Sequence, residues 1–320
     1  PRGMDSDNVA VVVAILLVGA WILKPYLDWR RTSTRSLEAH VARTSFQCAP
    51  GELVPPGWKA PELTLSVVVP AFNEARRLPQ MLDETLTYLE ERSAADPLGF
   101  SYEVIVVDDG STDGTYSAAL SSRPRPPSRG FGELRVVQLA TNRGKGFAVR
   151  TGMLAARGRF LLMADASGAT NIRDLERLEN ILSRPVEDGG VQMAIGSRHY
   201  LREEVKCRRS LARNVFATIF QFLIQFVIGG PVKDAQCGFK LFRADVGKHI
   251  FASLHLQRWA FDLELLILAR VLGLKVAEVP VAWVEMPGSK FDLVAGAPAI
   301  MRDALLMQVL YLLGVWHPLM

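Results

Sequence analysis

Cysteine is scarce in this sequence, and its few copies are far apart. The 320 residues contain three cysteines, Cys48, Cys207 and Cys237, and no Cys-x-x-Cys arrangement. This spacing argues against a zinc site and against a disulfide framework, and it is typical of a reducing compartment. An excess of charge is lacking as well, because the formal net charge is only +4. The composition therefore gives no indication of a nucleic-acid partner.

Long hydrophobic runs are also lacking. Residues 9–23 come nearest, with fifteen residues that carry no charge, whereas a helix needs roughly 20 apolar residues to cross a bilayer core. Trp21 and Tyr26 suit a membrane interface. A signal peptide is the competing interpretation, but acidic residues precede the run and no small-residue cleavage site follows it. We therefore expect a retained membrane anchor within residues 4–30.

The residues around this segment set its predicted orientation and limits. Four basic residues lie on its carboxyl-terminal side: Lys24, Arg30, Arg31 and Arg35. By the positive-inside rule they place the bulk of the protein in the cytosol. Residues 1–3, before Met4, are interpreted as a remnant of tag cleavage. Residues 31–62 contain several prolines and form a predicted linker to the first strand.

Two later segments are more apolar than a soluble domain requires. Residues 216–228 follow an arginine cluster, and residues 304–316 lie near the carboxyl terminus. Either segment alone is typical of a buried helix. Beside a predicted anchor, the two together indicate amphipathic helices in the headgroup region of a lipid bilayer. We predict a catalytic domain over residues 63–290, followed by a membrane-associated amphipathic helix over residues 291–320.

Two runs of β-branched residues predict neighbouring buried strands. Residues 65–69 and 102–107 show no polar alternation, as in a parallel sheet covered by helices. Apolar residues at helical spacing over 78–92 complete a β-α-β unit. Polar residues follow the two runs: Asn73, Glu74, Asp108 and Asp109. Ligands of such sheets lie beyond the carboxyl ends of the strands, so the pattern predicts a nucleotide-using α/β enzyme. A plain strand-to-helix turn is the alternative for Asp108 and Asp109.

A basic, glycine-containing segment at 142–146 suits a diphosphate. It reads Asn-Arg-Gly-Lys-Gly and precedes a short helical pattern over 147–156. It is not a Walker loop, because neither Ser nor Thr follows the lysine. A helix N-terminus beside a cation nevertheless attracts phosphate, and a solvated turn is the alternative. Two further predicted strands end in Asp165 and in Arg198, which adds an acid and a cation to the same edge.

Taken together, these motifs resemble the inverting family-2 glycosyltransferases of the nucleotide-diphospho-sugar transferase (GT-A, Rossmann-like) fold. Within that family the chain is most similar to the branch that glucosylates dolichyl phosphate. The motifs that carry the resemblance lie at 69–74, 107–111, 142–146, 163–166, 196–198, 234–242, 258–264 and 288–290. The first two mark the superfamily. Gln-Cys-Gly-Phe-Lys at 236–240 and Arg-Trp-Ala-Phe-Asp at 258–262 are much more specific.

The resemblance implies a reaction and its setting. Glucose would pass from UDP-glucose to dolichyl phosphate with inversion, giving dolichyl β-D-glucosyl phosphate for protein N-glycosylation. The enzyme would be a single-pass protein of the endoplasmic reticulum membrane, with its catalytic domain facing the cytosol. The alternatives are a mannosyltransferase that uses GDP-mannose and a non-catalytic relative that binds a UDP-sugar. The oligomeric state is left open, including a homo-oligomer.

The resemblance also implies roles for individual residues. The nucleotide-sugar site would comprise Pro70, Phe72, Glu74, Asp108, Asp109, Lys145, Asp165 and Lys290, with Asp109 accepting a hydrogen bond from uracil. The acceptor phosphate is already an anion, so it needs cations, which would be Arg198, Arg202, Arg208, Arg209 and Arg213. Asp165 would hold Mg²⁺ or Mn²⁺ against the diphosphate. Asp262 would lie near the anomeric centre, unless it is merely an acid at a helix N-terminus.

One motif departs from the family pattern. Where the family has Asp-x-Asp, this chain has Asp165-Ala166-Ser167. Ser167 keeps an oxygen but lacks a negative charge, which should weaken a metal site formed by Asp165 and Ser167. Three interpretations stay open: an active variant that relies on Asp165 and the diphosphate, an engineered low-activity form, and a relative that only binds nucleotide.

Overall fold

A seven-stranded sheet lies at the centre of the part of the chain that the structure describes. The structure is a computed structural model that describes residues 62–97, 99–122, 132–184, 190–198, 232–288 and 293–318, together with Gly19 and Phe222. The strands are β1 (Leu63–Ala71), β2 (Tyr102–Asp108), β3 (Gly132–Gln138), β4 (Gly158–Met163), β5 (Met193–Ser197), β6 (Lys240–Arg243) and β7 (Val276–Pro280). Their order across the sheet is β3-β2-β1-β4-β6-β5-β7. The predicted α/β class is therefore confirmed.

Helices alternate with the strands over most of the described residues. They are α1 (Leu78–Ala95), α2 (Thr115–Ser121), α3 (Lys145–Ala155), α4 (Leu175–Leu182), α5 (Ala244–Ala252), α6 (Phe261–Val271) and α7 (Leu293–Leu312). The predicted β-α-β unit is confirmed as β1, α1 and β2, and every residue of β2 is buried. Helix α3 packs closely on β1. A Cβ atom on Gly152 would lie 2.4 Å from Cγ1 of Val68, so this contact requires glycine.

The sheet is mixed, which the strand patterns did not predict. Strands β1 to β4 run parallel to one another, whereas β6 runs antiparallel to both β4 and β5. The first residue of β6, Lys240, is therefore the partner of Met163 near the end of β4. Because the strand is reversed, its beginning lies at the edge where the parallel strands end. This edge consequently receives residues from β6 as well.

Helix α7 lies within the segment 291–320, for which a membrane-associated helix was predicted, and it has two apolar sides. Its contact with a membrane stays a prediction. One side is buried in the core, and the other leaves Leu305, Val309, Leu312 and, just past the helix, Leu313 at least half exposed. No helix within the described ranges combines the length and the apolarity that crossing a bilayer requires. Apart from Gly19, Glu62 and Phe222, the predicted anchor, the linker and the segment 216–228 lie outside the described residues.

Candidate active site

Polar residues from four strands lie at one edge of the sheet. Asp108 is the last residue of β2 and Asp109 follows it, Asp165 lies two residues after β4, and Arg198 follows β5. The antiparallel β6 contributes Lys240 at its start. The structure therefore brings together the acids and the cation that the sequence placed at the ends of separate strands.

Asp109 holds the loop that leads into α3. Its Oδ1 accepts a hydrogen bond from the backbone N–H of Arg143 at 2.7 Å, and its Oδ2 accepts one from Gly144 at 2.8 Å. Gly144 has a φ of 105°, and a Cβ atom there would lie 2.7 Å from the carbonyl oxygen of Gln257. Burial raises the pKa of Asp109 in spite of these two hydrogen bonds. The contact to uracil stays a prediction, and the structure gives this carboxylate a role in positioning the loop.

Asp108 and the residues after β1 form a second set of local contacts. The buried Asp108 accepts a hydrogen bond from the N–H of Ser111 at 3.2 Å, as the turn interpretation expects. Glu74 accepts one from Nε of Arg77 at 2.7 Å. Phe72 is 37% exposed, whereas Pro70 is buried inside β1. Among the predicted nucleoside residues, Phe72 therefore offers the most accessible apolar surface.

Lys145 and Asp165 form an ion pair. Nζ of Lys145 lies 2.7 Å from Oδ1 of Asp165, and it lies 5.6 Å from the ring centroid of Trp259. Burial alone would lower the pKa of Lys145, but Asp165 and Asp262 raise it. Desolvation acts to raise the pKa of Asp165, but the charges of Lys145, Lys240 and Arg198 lower it below its ordinary value. Both groups are therefore charged at neutral pH.

The backbone at Gly238 packs directly against the Asp165 carboxylate. A Cβ atom at this position would lie 2.0 Å from Oδ2 of Asp165. Any other residue would displace the carboxylate, so the glycine in the Gln-Cys-Gly-Phe-Lys motif has a steric reason. The motif thus shapes the site through its glycine as well as through the lysine that follows.

Lys240 and Asp262 form a second ion pair, which sequence reasoning missed. Nζ of Lys240 contacts Oδ1 of Asp262 and also donates to the carbonyl oxygen of Cys237 at 2.7 Å. Lys240 is fully buried, and Asp262 is 2% exposed. The available signal was a lysine directly before two apolar residues of a short strand, Leu241 and Phe242. Asp262 is the second residue of α6, so the structure also fits its interpretation as an acid at a helix N-terminus.

Arg198 is held by a carboxylate on the far side of the site. Its Nε and Nη2 atoms each donate to Asp234 at 2.7 Å, and its backbone N–H donates to the same carboxylate at 2.9 Å. The backbone N–H of Asp234 in turn donates to Glu278 at 2.8 Å. Binding of the acceptor phosphate by Arg198 stays a prediction. The other predicted phosphate-binding residues lie outside the described residues: Arg202, Arg208, Arg209, Arg213 and Lys290.

The residues present do not fit a two-carboxylate metal site. Asp165 is already paired with Lys145, and Ser167 offers only a hydroxyl in the tight turn that Gly168 completes. Within the described ranges, no group of three or more His, Cys, Asp or Glu side chains is arranged to hold a metal ion. Mg²⁺ and Mn²⁺ favour oxygen-rich, negatively charged sites. The side-chain donors of Asp165 and Ser167 would therefore bind a metal ion only weakly.

Comparison with known proteins gives concordant results. Residues 66–251 match the model of the family described as "Glycosyl transferase family 2". A dolichyl-phosphate beta-glucosyltransferase of Drosophila melanogaster is 43% identical over 315 residues, which cover 96% of this chain and 93% of that protein. The Homo sapiens protein of the same name is 41% identical, with 97% and 96% of the two chains covered.

Solved structures share the fold at low sequence identity. One of them is glucosyl-3-phosphoglycerate synthase from Mycobacterium tuberculosis in complex with Mn²⁺, UDP and glucosyl-3-phosphoglycerate. Its TM-score is 0.52 at 20% identity, and the match covers 77% of this chain and 80% of that chain. At this identity the likeness concerns the fold.

Proposed function

The chain belongs to glycosyl transferase family 2, and we propose that it transfers glucose from UDP-glucose to dolichyl phosphate with inversion. The observation that carries this proposal is its likeness to two dolichyl-phosphate beta-glucosyltransferases over nearly its whole length. The charged edge of the sheet supports it, because a nucleotide diphosphate and an acceptor phosphate are both anions that require cations.

The proposed reaction is a single displacement at C1 of glucose. An oxygen of the acceptor phosphate forms a bond to C1 while the bond from C1 to the diphosphate breaks, and the electron pair of that bond leaves with UDP. The attacking oxygen is already anionic, so a strong base is unnecessary. The chain has to orient the two phosphates and stabilise the charge that develops on the departing diphosphate.

Three ion pairs of the site provide groups for these tasks. Lys145 is suited to bind the diphosphate, because it is the first residue of α3 and its ammonium is held beside Asp165. Asp262 is proposed to orient the sugar through hydrogen bonds, with Lys240 fixing its carboxylate. Arg198 is proposed to bind the acceptor phosphate, because its planar guanidinium suits phosphate oxygens.

A lipid acceptor requires access to a membrane. The exposed apolar side of α7 suits contact with the headgroup region, and the predicted anchor over residues 4–30 would keep the chain at the bilayer. The basic residues after the anchor favour a cytosolic catalytic domain. We propose the endoplasmic reticulum membrane as the location. No step of this mechanism depends on the predicted Mg²⁺ or Mn²⁺, because the donor set does not fit a strong metal site.

A donor-by-acceptor assay tests this proposal. UDP-glucose, UDP-galactose and GDP-mannose are each supplied with dolichyl phosphate, and the glycolipid product is measured together with its anomeric configuration by NMR. We expect product from UDP-glucose alone, in the β configuration. Asp262→Asn should lower turnover by about 10²-fold or more, as for removal of a positioned transition-state group. Asp245→Asn is the matched control, since Asp245 is an exposed acid in the first turn of α5.

Other outcomes identify the alternatives. Product from GDP-mannose would make the chain a mannosyltransferase. Nucleotide binding without product from any donor would support the non-catalytic interpretation, which the hydroxyl of Ser167 motivates. An α-linked product would contradict inversion.

A further inference from the structure

We propose that Lys145, rather than a resident divalent metal, supplies the counter-charge for the diphosphate in this chain. The inference rests on the proposed function, because it concerns how the UDP part of the donor is bound. It predicts that UDP binds well without Mg²⁺ or Mn²⁺ and that this binding depends on one lysine.

The first observation in support of this proposal is the charge balance of the site. The described residues here form three pairs of one cation and one acid: Lys145 with Asp165, Lys240 with Asp262, and Arg198 with Asp234. These three pairs cancel, so they leave no excess negative charge beside Asp165 with which to attract a dication. An acid at position 167 would add that charge, but Ser167 does not. Neutral ion pairs still offer the cations Lys145 and Arg198 to an anionic diphosphate, whereas they offer a metal ion no uncompensated acid.

The second observation is the position of the Lys145 ammonium. Its ammonium lies at 2.7 Å from the carboxylate that a metal would need as its main ligand. Metal binding to Asp165 would therefore compete with an existing ion pair. By contrast, a diphosphate oxygen can accept a hydrogen bond from the ammonium, since an ammonium has three donors. Asp165 is 39% exposed, so the pair can be approached from solvent.

The third observation is that hydrogen bonds hold the loop before Lys145 in place. Asp109 accepts hydrogen bonds from the two amides before Lys145, and the N–H of Phe147 donates to Gln257 at 3.0 Å. The lysine therefore extends from a fixed backbone at the N-terminus of the eleven-residue helix α3. The helix dipole there adds positive potential. A cation held in this way loses little conformational entropy when the diphosphate binds.

Calorimetric titration with UDP, once in EDTA and once with saturating Mg²⁺, tests the inference on the full chain. We expect the wild-type dissociation constant to differ by less than about threefold between the two conditions, and Lys145→Met to weaken binding in EDTA by about tenfold or more. Lys145→Arg should retain most of the metal-free affinity. Lys248→Met is the matched control, since Lys248 is a half-buried lysine on α5, away from the site.

Ser167→Asp provides the converse test. Restoring an acid should weaken UDP binding in EDTA and make Mg²⁺ recover it, because the site then has the charge that a dication needs. Thermal unfolding of each variant confirms that it is folded. Wild-type binding that requires Mg²⁺, or unchanged metal-free binding by folded Lys145→Met, would overturn the inference and leave the proposed function standing. Absence of UDP binding under both conditions would overturn the proposed function itself.

Discussion

Asp109 holds the backbone from which Lys145 extends. Both of its oxygens accept backbone hydrogen bonds from the loop before Lys145. A residue in this position controls where the ammonium lies. If Asp109 contacts uracil, loss of its carboxylate should weaken binding of the base. If it only holds the loop, the loss should weaken binding of the diphosphate.

Replacing Asp109 separates these two roles. We expect Asp109→Ala to weaken UDP binding by about 1–3 kcal/mol, because two backbone donors are left unpaired and the loop is released. Titration with inorganic pyrophosphate, which has no base, is the discriminating measurement. An equal loss for both ligands indicates positioning of the loop. A loss for UDP alone indicates a uracil contact, and unchanged affinity for both would remove Asp109 from the site.

Glu103 is a buried acid at the opposite edge of the sheet and determines a pH dependence. It is fully buried and accepts hydrogen bonds from Ser66 at 2.6 Å and from Arg135 at 2.7 Å. The backbone N–H of Arg157 donates to it at 2.6 Å. Burial alone would raise the pKa of Glu103, but Arg135, Ser66 and Arg157 overcome this effect and lower it below the ordinary value.

A lowered pKa makes Glu103 stabilising at neutral pH. Its contribution is complete above the unfolded-state pKa, near 4.3, and it is lost as the pH falls through the lower folded-state pKa. Glu103→Gln should therefore cost about 3–5 kcal/mol at pH 7, because the buried Arg135 loses its carboxylate partner, and it should flatten the acid limb of the stability curve. Melting temperatures between pH 7 and 3 test this. Glu133→Gln, at an exposed partner of Arg157, should cost less than about 1 kcal/mol.

At the scale of elements, α7 connects the carboxyl terminus to the site. Tyr311 donates a hydrogen bond to Glu264 at 3.0 Å, and Trp316 stacks on His255 with ring centroids 4.3 Å apart. Glu264 also accepts from the N–H of Leu256 at 2.7 Å. The loop that begins at His255 includes Gln257, whose carbonyl oxygen accepts a hydrogen bond from the N–H of Phe147 in α3. Helix α7 thus supports the loop that supports α3.

Removal of one hydroxyl tests this support. Tyr311→Phe should lower stability by about 1–3 kcal/mol, because a buried carboxylate loses a hydrogen bond. Denaturant unfolding measures the effect, and Tyr116→Phe on α2 provides a comparison outside this cluster. Equal stability of both variants would show that the Glu264 contact does not hold α7 in place.

The outward side of α7 makes a separate prediction. Leu312 is 82% and Leu313 70% exposed, so the double change to serine should leave folding intact. If this side contacts the bilayer, turnover should fall with dolichyl phosphate in vesicles and be unchanged with a detergent-solubilised acceptor. Val271→Ser, at an exposed apolar residue of α6, is the control. An equal loss in both media would argue against a membrane contact.

At the scale of the whole molecule, the site joins the two halves of the sheet. The half formed by β1 to β3 contributes Asp108 and Asp109, whereas Arg198 follows β5 and Asp234 is tied to Glu278 of β7. The reversed β6 lies between β4 and β5 and brings Lys240 to the junction. Donor and acceptor would therefore be bound by different halves, which makes their affinities separable.

Arg198 tests this separation. Arg198→Ala should raise the acceptor KM or lower turnover while UDP affinity stays nearly unchanged, and lysine should rescue only partly because it lacks the planar fork. Loss of the arginine also removes two hydrogen bonds and the counter-charge from the buried Asp234, so the double variant with Asp234→Asn is needed. A defect that persists in the double variant, with a short-chain acceptor in detergent, indicates phosphate binding. Recovery there would make Arg198 a structural residue.

Local pattern was enough to predict several elements and one edge of the site. The apolar runs predicted β1 and β2, and helical spacing predicted α1. The acids after the strands predicted that Asp109 and Asp165 lie at the same edge of the sheet, because parallel strands end at a common edge. Motifs such as Gln-Cys-Gly-Phe-Lys identified the family. These features depend on residues near one another in the chain, so the amino-acid sequence by itself determined them.

The partners of each charge were decided by the tertiary structure. Lys145 with Asp165, Lys240 with Asp262, and Arg198 with Asp234 are separated by 20 residues or more in the chain. Ion pairing depends on distance and burial, which only the packed strands and helices set. The direction of β6 has the same origin, since a four-residue strand carries no signal for parallel or antiparallel pairing. Its reversal, which no local pattern records, is what buries Lys240 against Asp262.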